Sequence, residues 1–175
     1  MKHLWAALCL LMVVSTAACY RIAGRPYNNI SSVGVKVFTN KTLYRDVDFQ
    51  LSDQLRREIS ALTFYTIAAP RDADAVLEGE VTRYEELPEA IDEDEMVTAR
   101  RVVARAAYKL VDNRTGEIIA SSGGLNWSEV FPVRTGRTLA QVREETLRKL
   151  AQKIVEHAFM PWPEAGDMVA ENRQE

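Results

Sequence analysis

The chain is short of the residues from which most catalytic and metal centres are built. Its 175 residues include two histidines and two cysteines. Cys9 lies inside an apolar N-terminal run, so only Cys19 and His157 stand beyond that run. A single cysteine closes no internal disulfide, and one histidine with one cysteine cannot furnish the ligand clusters of a zinc site. The same scarcity leaves a cysteine–histidine nucleophile without support. Neither standard glycine-rich phosphate loop is present, and no segment repeats. Positive charge is lacking as well. Lys and Arg number 22 against 25 Asp and Glu, a net charge of −3, which is no electrostatic footprint for nucleic acid. Glu85, Glu86, Glu89, Asp92, Glu93, Asp94 and Glu95 crowd one short stretch, but the glycine and ligand spacing of a calcium loop are missing. That stretch reads as a solvated hairpin loop. The sequence therefore offers no catalytic set and asks for no cofactor, and an enzyme is not expected.

What the chain does have begins at its N-terminus. Lys2 and His3 precede an apolar run from Leu4 to Val14, closed by Ser15-Thr16-Ala17-Ala18. This is the three-part plan of a secretory signal, too short to span a bilayer. The next residue is Cys19. Small residues followed by cysteine resemble the lipobox of bacterial lipoproteins, with Thr16 where that motif usually carries an aliphatic residue. The resemblance implies that Cys19 becomes the first mature residue and carries acyl chains such as palmitate. A secreted protein cut near the same place is the rival reading. Because Lys2 is the only formal charge that leaves with the signal, the mature chain is one unit more negative than the whole. The expected organisation is a signal peptide at 1–18, an extended leader at 19–32 after the lipidated cysteine, one domain at 33–159 and a disordered acidic tail at 160–175.

Within the domain, periodicity sets the elements. Val33, Val35 and Val37 alternate with Gly34 and Lys36 as a short strand. Leu51, Leu55, Ile59 and Leu62 form one stripe of a helix that Asp46 or Asp48 can cap. Phe64 to Ile67 can add a short extended piece. Ala75, Leu77, Gly79 and Val81 alternate as a strand with one dry face. Val97 to Val111 is a longer strand with Val102, Ala104, Ala106, Tyr108 and Leu110 on one side. The turn Asp112-Asn113-Arg114-Thr115-Gly116 returns the chain as a partner strand, Glu117 to Phe131, in which Gly123-Gly124 signals a bulge. Thr138 and Gln141 form a capping box for a last helix with its stripe at Leu139, Val142, Leu147, Leu150, Ile154, Ala158 and Phe159. This order predicts an α+β fold, a two-layer sandwich with two helices packed on one face of a mostly antiparallel four-stranded sheet.

Two groups of cations stand out as binding candidates. Arg101, Arg105 and Lys109 share the wet face of the long strand, where they can meet anionic groups, pack on a partner or simply face solvent. Arg134 and Arg137 precede the last helix, whose free amides also favour anions. His157, near the negative end of that helix, reads as a surface or edge histidine.

The motifs together resemble the lipopolysaccharide-assembly lipoprotein family LptE. The likeness runs from Cys19-Tyr20 through Val35-Lys36-Val37-Phe38-Thr39-Asn40-Lys41-Thr42 and the helix from Leu51 to Leu62. It continues in Ala73-Asp74-Ala75-Val76-Leu77-Glu78-Gly79-Glu80-Val81, the Asp112-to-Gly116 hairpin and the closing helix. What it implies is a lipid-anchored protein of the outer membrane, facing the periplasm, that plugs the lumen of the LptD β-barrel and helps it assemble. It also implies contact with lipopolysaccharide through basic residues in two regions. Arg134 and Arg137 match the second region, while the first is occupied here by the acidic run from Glu85 to Glu95. An accessory lipoprotein of another secretion or envelope-spanning complex remains the alternative.

Overall fold

The computed structural model describes Tyr27 and residues 29–160. The signal, Cys19 and the tail beyond Met160 lie outside the described residues. Eight elements follow in order: β1 (Ser32–Val35), β2 (Thr39–Asn40), α1 (Val47–Leu62), β3 (Thr66–Ile67), β4 (Ala75–Ile91), β5 (Val97–Asp112), β6 (Ile118–Pro132) and α2 (Leu139–Phe159).

The strands form one six-stranded sheet in the order β3-β1-β4-β5-β6, with β2 pairing β4 beyond the end of β1. The expected mostly antiparallel four-stranded sheet is thus corrected to a mixed sheet of six strands. β1 runs parallel to both β3 and β4, and β2 is also parallel to β4. The physical reason is the connection: β1 reaches β3 through a helix, and such a crossover returns the chain in the same direction. β2 and β3 are two residues each, too short to carry any alternation. β4, β5 and β6 are the antiparallel part, as expected.

The core lies between the sheet and the two helices, which pack against each other on one face. Val102, Ala104, Ala106, Tyr108 and Leu110 all point into it from β5. Leu51, Leu55 and Ile59 of α1 are fully buried, while Leu62 is 37% exposed and leaves the stripe. Each buried aliphatic contributes roughly 1.5–3 kcal/mol, so three suffice to dock the helix. Ser52 strengthens the joint by accepting from the Phe38 N–H at 3.0 Å while donating to the Asp48 carbonyl at 2.6 Å. Asp46 does stand at the start of α1, but with φ 65 and without a side-chain capping bond. Phe38 covers Gly79, and glycine is required there: a Cβ would lie 2.2 Å from the Ala107 carbonyl oxygen and 2.7 Å from the Phe38 ring.

Three polar devices hold the ends together. The Asp74 carboxylate accepts from the Ser31 and Ser32 amides, both at 2.9 Å, and from the Ser32 hydroxyl. These bonds, the Ser31 amide foremost, hold its pKa below the usual carboxylate range. At the other end Arg143 of α2 donates to the Tyr84 hydroxyl at 3.0 Å and to Glu86 at 2.8 Å, and Tyr84 donates to Glu86 at 2.9 Å. Burial, more than any partner, pushes the Tyr84 phenol upward. The third is the Thr138–Gln141 capping box, present as expected at the start of α2.

The acidic run is the second correction. Glu85, Glu86 and Glu89 lie on β4, which continues to Ile91, so the loop between β4 and β5 begins only after that residue. Ion pairs make this possible, across the ladder for Glu89, within β4 for Glu85 and from α2 for Glu86. Glu89 pairs with Arg101, Glu85 with Arg83 at 2.7 Å and Glu86 with Arg143.

Candidate functional site

Opposite the helices the sheet presents an open face, and here the wet side of β5 meets its neighbours. Cross-strand pairing sets Glu78 beside Lys109, Arg83 beside Arg105, and Leu87 beside Arg101. The parallel register of β1 and β4 places Lys36 next to Glu78. Glu78 takes both cations, Lys36 at 2.6 Å and Lys109 at 2.8 Å. Those two hydrogen bonds, Lys109 foremost, hold the Glu78 pKa below its ordinary value. Between these charges the floor is small-chained. A groove of about 570 Å³ runs over it, lined by Lys36, Val37, Glu78, Ala107, Lys109 and Ser121 among others.

Of the five cations singled out in the sequence, three already have intrachain partners. Arg101 makes a bidentate pair with Glu89, whose pKa it lowers. Lys109 shares Glu78. Arg137 is paired with Glu145 and lies 3.8 Å from Glu129. It therefore sits beside the mouth of α2 as part of a local clasp. The Gln141 amide at that mouth is met by the Thr138 hydroxyl, which reduces what the helix start can offer an anion.

Arg105 and Arg134 differ. Neither makes an ion pair among the described residues, and both are exposed. The guanidinium of Arg105 lies across Gly124, where an added Cβ would fall 2.4 Å from its Nε. The bulge foreseen at Gly123-Gly124 is real, for the β5–β6 register shifts between Ala106 and Tyr108. Its consequence is a flat seat for one arginine. Arg105 and Arg83 are direct neighbours across β4–β5, an arrangement of like charges that costs stability unless an anion or carboxylate lies near. Glu85 relieves Arg83 alone.

The structure brings Arg101, Arg105 and Lys109 onto one face, as the alternation in β5 implied. Arg134 and Arg137 belong to a separate loop after β6. Lys36, Glu78 and Arg83 were not singled out in the sequence. The period-two pattern put Glu78 on the wet side of its strand, but only the strand pairing shows which cations meet it. His157 is exposed in the last turn of α2, where its Nδ1 and the buried Tyr108 hydroxyl lie 2.5 Å apart. Among the described residues no cluster of histidine, cysteine and carboxylate side chains could hold a metal ion. No described helix is long and apolar enough to cross a membrane.

Two solved structures share this arrangement. Protein XCC0632 from Xanthomonas campestris is 15% identical, with a TM-score of 0.53 over 84% of this chain and 94% of that one. The hypothetical protein CT253 from Chlamydia trachomatis is 8% identical, with a TM-score of 0.51 over 74% of this chain and 98% of that one. The lipoprotein GNA1162 from Neisseria meningitidis is 15% identical, with a TM-score of 0.46 over 73% and 96%. No curated protein matches the chain by sequence. The first two likenesses define a class by fold, an α+β protein with two helices over one face of an open mixed sheet. The family comes from the sequence: the model for LptE, described as lipopolysaccharide-assembly, matches residues 30–158, and the chain belongs to that family.

Proposed function

We propose that this chain is an outer-membrane lipoprotein, anchored by acylated Cys19 and facing the periplasm. It acts with an LptD-type β-barrel as plug and assembly factor in the transport of lipopolysaccharide to the outer leaflet. The observation that carries the reading is the extent of the family match. It covers residues 30–158, almost all of the described residues. The role is non-catalytic: the domain positions and supports, and the barrel conducts.

Lipopolysaccharide contact falls on the open face. Arg105, lying over Gly124 without a carboxylate partner among the described residues, offers its guanidinium to a phosphate, and its planar fork suits that geometry. Arg134 offers a second, separate contact. Arg101, Lys109 and Arg137 act first within the protein, through their carboxylate partners. That internal neutralisation favours a mainly structural role in the barrel, with lipid contact resting on few residues.

The test is removal of the protein from its own cells. Barrel levels and surface lipopolysaccharide should both fall, and a large β-barrel should come down with the full chain in mild detergent. Normal barrel and lipopolysaccharide levels would contradict the reading. Capture of a different envelope complex would transfer the protein to the alternative, an accessory lipoprotein of that complex.

A further inference from the structure

The two edges of the sheet are finished differently. On one side the edge is broken into β1, β2 and β3, pieces of four, two and two residues, and it is clasped by Asp74. On the other side β6 runs for 15 residues and, among the described residues, pairs only with β5. Proteins usually blunt such an edge with lysine, proline or brevity. β6 carries its bulge at Gly123-Gly124 and ends in Pro132, but between them, from Leu125 to Phe131, it contains no lysine, no proline and one charge, Glu129.

The outward groups of this edge can be named. Lys153 of α2 donates to the Asn126 carbonyl at 3.2 Å, so that carbonyl points away from β5. Alternation along an antiparallel strand turns the N–H and C=O of Ser128 and Val130 outward too. The inward bond from Val133 N–H to Thr98 O agrees with that phase. None of the outward groups of Ser128 and Val130 has a hydrogen-bond partner among the described residues. Backbone donors and acceptors repeating at every second residue are matched by one kind of ligand, another extended strand.

We propose that the outer edge of β6, from Leu125 to Val130, takes up an extended strand from a different polypeptide. A second copy of this chain is the poorer occupant on charge. Lys153 leans over the edge, and Lys149 stands one helical turn before it, with Glu145 and Glu156 beyond them on either side. Antiparallel self-pairing about this point would set lysine against lysine. A foreign strand with acidic rather than basic side chains near Lys149 and Lys153 meets no such opposition. The proposal does not depend on lipopolysaccharide binding and extends the functional reading only in supplying a mode of partner contact.

The experiment uses the full chain in its own cells, with a photo-activated cross-linking residue at position 128 or 130 and a control at Gln50 on α1. The expected result is one adduct, the same polypeptide from both β6 positions and absent from the control. It should fall about tenfold when Val130→Lys is combined with the probe at 128, since an edge lysine opposes strand addition. Ser128→Pro, which removes only an outward N–H, should do the same with the probe at 130, while Ser128→Ala should not. Circular dichroism of each variant confirms the fold. In the isolated complex, the amides of Ser128 and Val130 should exchange at least about tenfold more slowly than in the free chain. An adduct indifferent to both blocking variants, an adduct with a second copy, or no adduct from either position would overturn the proposal. If a barrel partner is still captured undiminished by the blocked variants, the assembly reading stands and the edge inference alone fails.

Discussion

The two faces of the sheet obey different rules. The covered face is built from Val33, Val35, Leu77, Val102, Ala104 and Leu110, all essentially inaccessible, and admits polarity chiefly in the knot of Tyr84, Glu86 and Arg143. The open face alternates cations with carboxylates over small side chains, and most of its charges are matched within the chain. Apolar burial on one side supplies the stability, because exposed ion pairs contribute little. The open side is therefore free to vary in charge without loss of fold. Arg105 is the place where that freedom has left a cation without a carboxylate.

Breaking the covered face should have the largest effect. Leu77→Ala or Leu110→Ala should lower unfolding free energy by about 2–5 kcal/mol, measured by denaturant titration. A loss below about 1 kcal/mol would deny the covered face its role. Arg143→Met comes next, since it leaves Glu86 in a mostly covered position without its cation. A loss of about 1.5–3 kcal/mol is expected, and Tyr84→Phe should cost less. Glu78→Gln sharpens the contrast from the other face. It releases Lys36 and Lys109 but should change stability by no more than about 1 kcal/mol at neutral pH. The Glu78 carboxyl has a folded pKa below its unfolded one. Its contribution is thus complete above the unfolded value, near 4.5, and lost as pH falls through the folded one. The difference between Glu78→Gln and the parent should shrink as pH drops below about 4.5 and vanish once both states are protonated. The smallest stability effect belongs to Arg105→Ala. Its exposed side chain makes no ion pair among the described residues, so unfolding free energy should change by no more than about 0.5 kcal/mol in denaturant titration.

Particular residues explain what could be read in advance. The alternation from Val102 to Leu110 has period two over nine residues, and burial on one face leaves no other register, so β5 was legible. Asp112 and Gly116 marked their hairpin, and the structure confirms it, with the Asp112 carboxylate accepting from Arg114 and Thr115 and Gly116 at φ 76. Thr138 with Gln141 marked the start of α2 for the same kind of local reason. β2 was hidden because two residues carry no period, and β3 was legible only as part of the extended piece at Phe64 to Ile67. Their parallel pairings, Thr39 with Glu80 and Ser32 with Thr66, join residues distant in sequence. Glu86 and Glu89 read as loop because their arginine partners, Arg143 and Arg101, sit on other elements. The candidate site was half legible: strand alternation put Arg101, Arg105 and Lys109 on one face. It could not show that Glu89 and Glu78 neutralise two of them, since that depends on register.

On the function proposed above, the open face, through Arg105, receives an anionic lipid while the covered face holds the fold. The direct measurement is lipopolysaccharide binding by the purified full chain, compared between the parent and Arg105→Ala at matched melting temperature. The account predicts binding weakened by about tenfold, the equivalent of one charge-assisted contact of about 1.4 kcal/mol, with Arg101→Ala affecting it less. Equal affinity for the parent and Arg105→Ala would contradict it.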